Sequence, residues 1–350
     1  MPEESINDIN FDELNQKALS QPLIQHIYTA DPSAHVFNGK IYIYPSHDVD
    51  AGEAFDDLGS HFAMEDYHVI SMDSPTSEAK DNGVALHVND VPWAKKQMWA
   101  PDAAEKDGKY FLFFPAKGHD GIFRIGVAVS NSPVGPFTAQ AEAIKNSFSI
   151  DPAVFKDTGD SYYMYFGGIW GGQLQRWRNG SFNTTQPESP TAHLPKENEP
   201  ALCAKVVRLT DDLLEFSEEP KDVLILDENE NPLLQGDTER RFFEASWMHK
   251  YNGKYYFSYS TGDTHFICYA IGDNPYGPFK YAGRILNPVV GWTSHHSIVE
   301  FEGEWYLFYH DSSLSKGVTH LRSIKVTKLI HDENGFIKTI NPYGDLKAVV

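Results

Sequence analysis

This chain predicts an all-β fold, a five-bladed β-propeller, on three observations. One segment pattern occurs five times: a polar or acidic start, a short run, a glycine turn, then a strand dense in aromatics. It begins at Asp31 (DPSAHVFNGKIYIYPS), Ala100 (APDAAEKDGKYFLFFP), Asp151 (DPAVFKDTGDSYYMYFGG), Phe243 (FEASWMHKYNGKYYFSYS) and His295 (HHSIVEFEGEWYLFYH). The turns read NGK or DGK in several copies, a hairpin signal, and the strands that follow carry the Tyr, Phe, Ile and Leu suited to half-buried sheet positions. A third strand follows each hairpin, so the repeating unit is about 50 residues with three or four strands, the pattern of a propeller blade.

Taken in order, residues 1–20 form an N-terminal extension in which FDELNQKAL is either a short helix or a frayed end. Residues 21–350 form one propeller domain. The turn glycines are Gly39, Gly108, Gly159, Gly253 and Gly303, with spacings of 69, 51, 94 and 50 residues. Third strands are expected within 67–75, 124–137, 206–216, 265–279 and 321–329, the second and fourth matching each other as strand then Pro-Gly turn. The two long spacings place insertions in blades one and three. The larger lies within 171–240, is polar and Pro-rich, and reads as a surface loop that either shapes a pocket or is plain solvated chain.

Composition removes several classes of function. The chain has 350 residues with 29 Lys+Arg against 49 Asp+Glu, a net charge of −20, which is wrong for a protein that grips nucleic-acid phosphates. Two cysteines, Cys203 and Cys268, exclude a disulfide scaffold. The acidic N-terminus has no apolar core of a signal peptide, and no run of about 18 apolar residues occurs, so neither secretion nor a membrane partner is expected and the cytoplasm is the expected location.

The first strand of a blade lines the propeller axis. Eight residues before the turn glycine, the five blades present Asp31, Ala100, Asp151, Ala245 and His295, with Glu244 one residue from Ala245. A bulge or one-residue shift would bring Glu244 to the same position. Asp-Pro is an ordinary turn pair, so Asp31 or Asp151 alone reads as structural. Three acids in equivalent places of three repeats read otherwise. Glycoside hydrolysis needs one protonated carboxyl for the leaving oxygen and one ionised carboxylate for water or the anomeric carbon. Glu244 lies in the apolar stretch RFFEASWM, where desolvation and neighbouring negative charge keep a carboxyl protonated, so it is the acid candidate.

At these residues the chain closely resembles glycoside hydrolase family 43, over about 21–345. The motifs are TADPSAHVFNGKIYIY (29–44), MWAPDA (98–103), SIDPAVF (149–155), FFEASWMHKYNGKYYFSYS (242–260), TSHHSIVEFEGEWYLFYH (293–310) and LRSIKV (321–326). The resemblance implies an inverting mechanism with Asp31 as general base, Glu244 as general acid, and Asp151 tuning Glu244 and orienting substrate. It further implies that Arg322 contacts sugar hydroxyls, that Trp99 walls the pocket, and that His295 either binds a calcium ion (Ca2+) in the central channel, mostly through waters, or supports the acid. Trp170, between glycines in GGIWGG, is either a sugar-stacking aromatic or folded in. His47 and Asp48 could line the pocket. His61, Glu65, Asp66 and His68 lack a convincing metal spacing and read as a solvated loop.

The expected activity is exo-hydrolysis of terminal pentoses from an oligosaccharide, β-1,4-xylosidase foremost, with α-L-arabinofuranosidase as a second or main activity, since both sugars offer similar hydroxyl geometry. The expected cytoplasmic location favours imported xylo-oligosaccharides. The competing readings are a non-catalytic carbohydrate-binding propeller, a retaining fructosidase and a phosphorylase. The last of these would need a basic phosphate pocket that the sequence does not display.

Overall fold

The structure is a computed structural model that describes residues 9–185 and 189–346. Its strands form five sheets, one per predicted repeat. Blade one is β1 (Tyr28–Phe37), β2 (Lys40–Asp48), β3 (Asp66–Met72) and β4 (Lys80–His87). Blade two holds β5 (Ala94–Lys96), β6 (Asp102–Lys106), β7 (Lys109–Gly118), β8 (Phe123–Ser130) and β9 (Thr138–Ala139). Blade three is β10 (Ala153–Lys156), β11 (Tyr162–Phe166), β12 (Lys205–Arg208) and β13 (Lys221–Asp222). Blade four has β14 (Ile225–Leu226) as its outer, parallel strand, then β15 (Glu244–Tyr251), β16 (Lys254–Ser260), β17 (Ile267–Gly272) and β18 (Phe279–Leu286). Blade five is β19 (His296–Phe301), β20 (Glu304–Asp311) and β21 (Ser323–Leu329). All five predicted third strands are present, as β3, β8, β12, β17 and β21.

The aromatic strands explain why the blades stack. Strands alternate their side chains between two faces, and each face of a blade meets a neighbour. Five separate apolar clusters result, one in each gap between blades. Tyr44 and Tyr67 meet Leu112 and Phe114 across the first gap, and Phe113 and Ile125 meet Met164 and Phe166 across the second. Tyr165 and Val206 meet Phe257 and Tyr259, then Tyr256 and Tyr269 meet Leu307 and Tyr309. Ile41 and Ile43 meet Phe308 and Ile324 across the last gap, which closes the ring. The inner strands β1, β6, β10, β15 and β19 touch in that cyclic order around the axis.

The start of β1 and the segment before it also tie the ring. Leu23 N–H donates to Ile324 O (2.8 Å) and Thr29 N–H to Arg322 O (3.0 Å), so the start of the domain adds hydrogen bonds to the last blade. The N-terminal helix is present as α1 (Phe11–Lys17), two residues shorter than the expected segment, with the Asn10 side chain capping Glu13 N–H. Its one buried residue, Leu14, packs with Val290 and Tyr343. Residues 1–8 of the extension lie outside the described residues.

Two inner strands carry a bulge where the acids fall. In β1, Ala30 pairs with Ser46 but Ser33 with Tyr44; in β15, Glu244 pairs with Ser260 but Trp247 with Ser258. Each strand therefore holds one extra residue against its partner, which bends it and re-aims its side chains. Asp31, Asp151 and Ala245 all take left-handed backbone angles, φ 51°, 56° and 62°. For residues with a Cβ this costs on the order of 1–3 kcal/mol each, strain of the kind found where a side chain must be aimed.

Candidate active site

The inner ends of the blades open into a pocket lined by Asp31, Asp151, Glu244, His295, Arg322, Trp99 and Trp170, whereas His47 and Asp48, which the sequence also offered, do not line it. The register argument needs one correction. The bulge does not bring Glu244 into the Asp31 position, which Ala245 occupies; Glu244 holds the register of Ala30 and enters the pocket from the adjacent place. The side chain of Asp151 stabilises this arrangement by accepting a hydrogen bond from Ala245 N–H at 2.9 Å. Asp151 thus holds the backbone that presents Glu244.

Asp31 is held from three sides. Arg322 Nη1 donates to its Oδ1 (2.9 Å), Ser46 Oγ to its Oδ2 (2.5 Å), and its own N–H donates to His310 Nδ1 (3.0 Å). Burial alone would raise its pKa, but the Arg322 guanidinium, with His310, His295 and the Ser46 hydrogen bond, outweighs burial and brings it down to about 2. Glu244 moves the other way. Burial, reinforced by the charge of Asp31 and opposed by Arg322, pushes it up to about 8. Asp151 also rises, through burial first and then repulsion from Glu244 and Asp31. Near neutral pH the site therefore holds an ionised Asp31 facing a protonated Glu244, two carboxyls driven apart by their surroundings.

Arg322 spends four of its N–H bonds on protein: Nε and Nη2 on Asp48 (2.8 and 2.7 Å), Nη1 on Asp31 and on Thr293 Oγ1 (3.1 Å). Five is all a guanidinium has. One hydrogen remains for a sugar, so its chief task is to position Asp31. Arg322→Lys, which loses the planar fork, is expected to lower kcat/KM by about 10²-fold through misplacement of the base. The acid limb of the pH–rate profile should move to higher pH as Asp31 loses its counter-charge, and an acid limb that stays put would rule out this role.

Trp99 is 9% exposed and anchored by Nε1–H donating to Phe62 O (2.8 Å), with its ring against Phe123, so it is a fixed wall. Trp170 is half-buried and forms the rim with Phe243 and Trp292, ring centroids 5.3 and 5.5 Å away. Its neighbouring glycines permit close approach: a Cβ on Gly171 would sit 2.6 Å from Leu58 O. Among the described residues, the blade-three insertion lends only Gly171 and Gly172 to the pocket lining, and its Gln175 Nε2 donates to Trp170 O (3.0 Å) behind the rim. The blade-one insertion supplies Phe55, Asp56, Asp57, Gly59, His61, Phe62 and Met64 instead.

His61 is accordingly no part of a solvated loop. It is 3% exposed, packed between the tilted rings of Phe55 and Phe62, and burial first, then positive charge nearby, lowers its pKa to about 4. Its Nδ1 accepts from Asp56 N–H, which leaves Nε2–H without a protein partner at the pocket wall, a donor suited to a hydroxyl. Asp48 is fully committed beneath Arg322, while His47 turns to the other side of its strand and meets Asp66 (2.6 Å).

Sequence reasoning missed His310. Its signal was available, because His310 stands seven residues after Gly303 as Ser46 stands seven after Gly39, and both contact Asp31. Burial, helped by Arg322, lowers its pKa to about 3, so it stays neutral and its Nε2–H is free to donate to Thr293 O (3.0 Å).

His295 Nε2 is buried, unpartnered, and 3.9 Å from Asp151 Oδ2. One imidazole nitrogen beside a carboxylate falls far short of the six to eight oxygens calcium prefers. The residues fit an ion only if water completes its shell.

Comparison with known proteins agrees with this geometry. The family model described as Glycosyl hydrolases family 43 matches residues 21–337. A xylosidase/arabinosidase of Bacteroides ovatus is 59% identical over 319 residues, 91% of this chain and 96% of that protein. The xylosidase/arabinosidase 43A of Humicola insolens is 60% identical, covering 92% of this chain and 99% of its own length. Among solved structures, a family 43 β-xylosidase/α-arabinofuranosidase from a compost metagenome, in a calcium-free complex with xylotriose, is 63% identical with TM-score 0.90, covering 93% of this chain and 98% of that one. A Xanthomonas citri enzyme in complex with xylotriose is 54% identical with TM-score 0.90, covering 96% and 97%.

Proposed function

The chain belongs to glycosyl hydrolase family 43 and is a glycoside hydrolase, and on that premise we propose that it removes terminal β-1,4-linked xylose from xylo-oligosaccharides by inversion, with α-L-arabinofuranosidase activity in the same pocket. The observation that carries the reading is the opposed protonation of Asp31 and Glu244 in one cavity. The names of the relatives and the xylotriose bound by two of the solved structures support the choice of sugar.

In this mechanism Glu244 donates its proton to the glycosidic oxygen as the bond to the anomeric carbon lengthens. Asp31 accepts a proton from the water that attacks the opposite face. Its low basicity suits a transition state with oxocarbenium character, where bond breaking leads and proton removal from water follows. Asp151 keeps the Glu244 backbone in place, Trp99 and the Trp170 rim confine the ring, and His61 Nε2–H is offered to a hydroxyl. The blade-one insertion adds wall to the site, and a walled pocket supports exo action. An ion at His295, held with Asp151 largely through water, would supply positive charge that favours the ionised form of Asp151.

Two measurements test the reading. Proton NMR of xylobiose hydrolysis is expected to show α-xylose as the first product; β-xylose would overturn inversion. Assays on p-nitrophenyl β-xyloside and α-arabinofuranoside, with and without chelator, rank the two sugars. The pH dependence follows from the pKa values. Asp31 is ionised above about 2 and Glu244 protonated below about 8, so kcat/KM should hold through neutrality and fall as pH rises through about 8.

A further inference from the structure

A second group of potential ligands lies away from the pocket, between the ends of β2 and β3. One ligand atom from each of His47, Asp66 and His68 falls within 4.8 Å of the other two. His47 Nδ1 meets Asp66 Oδ1 at 2.6 Å, and the His47 and His68 rings are 4.6 Å apart between centroids. His68 Nδ1 in turn meets Asp81 Oδ1 at 2.8 Å, and Asp81 Oδ2 meets His26 Nε2 at 3.0 Å. An imidazole whose far nitrogen is held by a carboxylate is oriented, and made more basic, for a metal on its other nitrogen. The side chains of His47 and Asp66 are each 17% exposed, so an ion has a way in.

We propose that His47, Asp66 and His68 form a binding site for a divalent transition metal of the zinc type, with Asp81 as the outer carboxylate that orients His68. Two imidazoles and a carboxylate are the ligand types zinc selects, at about 2.0–2.2 Å each, with water at the fourth position. The ion would replace the proton now shared by His47 and Asp66 and tie β2 to β3. The alternation of β2 puts Ser46 and Asp48, which hold Asp31 and Arg322, on the opposite side from His47. An occupied site therefore braces the end of β2, whose Ser46 and Asp48 hold the base and its arginine.

The experiment uses the full chain without an affinity tag, stripped with chelator and titrated with Zn2+ by calorimetry and with Co2+ by absorption. One equivalent of Zn2+ is expected to bind and raise Tm, and Co2+ is expected to give the intense visible bands of a tetrahedral site. Asp81→Asn should weaken binding about 10–100-fold. His47→Gln with His68→Gln should abolish it, and His295→Ala should leave it intact. The wild-type Co2+ spectrum decides the matter even if a variant fails to fold: no binding, or an octahedral spectrum, overturns the proposal. So does binding that survives the double substitution or disappears with His295→Ala.

Discussion

Asp31→Asn is expected to lower kcat on xylobiose by about 10⁴-fold, the upper end of what a general base contributes, with KM changed only a few-fold. The amide is the same size as the carboxylate; its oxygen can still accept from Arg322 and its NH2 can donate to the Ser46 hydroxyl oxygen, so the pocket keeps its shape. Arg322 is not left as a bare buried cation, because Asp48 continues to bind it through two nitrogens. What disappears is the capacity to take a proton from water. Steady-state kinetics beside circular dichroism check this. A folded variant that loses less than about tenfold would remove Asp31 from the role of base.

Glu244→Gln separates acid catalysis from binding by its dependence on the leaving group. A xylose leaving group needs a proton, so kcat on xylobiose should fall about 10³-fold. p-Nitrophenolate leaves unaided, so the same variant should lose far less on p-nitrophenyl β-xyloside. On that substrate the fall of kcat/KM above about pH 8 should vanish, since the group that titrates there is gone. Equal losses on both substrates would mean that Glu244 serves position and not proton transfer.

The periodicity of the chain carried most of the architecture. Each glycine turn is followed by an aromatic strand, and those aromatics are the residues that fill the five gaps between blades. The acids were legible because a repeat register converts sequence offset into position around an axis. The count held even at Glu244, because β1 and β15 carry the same bulge and Glu244 keeps the register of Ala30; what a count could not show is that this adjacent place also enters the pocket. An offset count along first strands does not reach His310, which contacts Asp31 from the second strand of its blade. Length and polarity left 171–240 either shaping the pocket or solvated; among the described residues it lends Gly171 and Gly172, while the shorter blade-one segment lines more of the pocket, with Phe62 edge-on to Trp99 and Leu58 against Gly171.

The hydrogen bonds from Leu23 and Thr29 to the last blade bear on how the molecule is made. Leu23 leaves the ribosome some 300 residues ahead of its partner Ile324, so these contacts are among the most distant in the chain. Contacts of such separation form late, after the loops they close have been ordered. During synthesis blades one to four can pair with their neighbours while the face of blade one that carries Ile41 and Ile43 waits uncovered for Phe308 and Ile324. The ring cannot close before blade five is made, and until then an apolar face of the kind that favours self-association stays open.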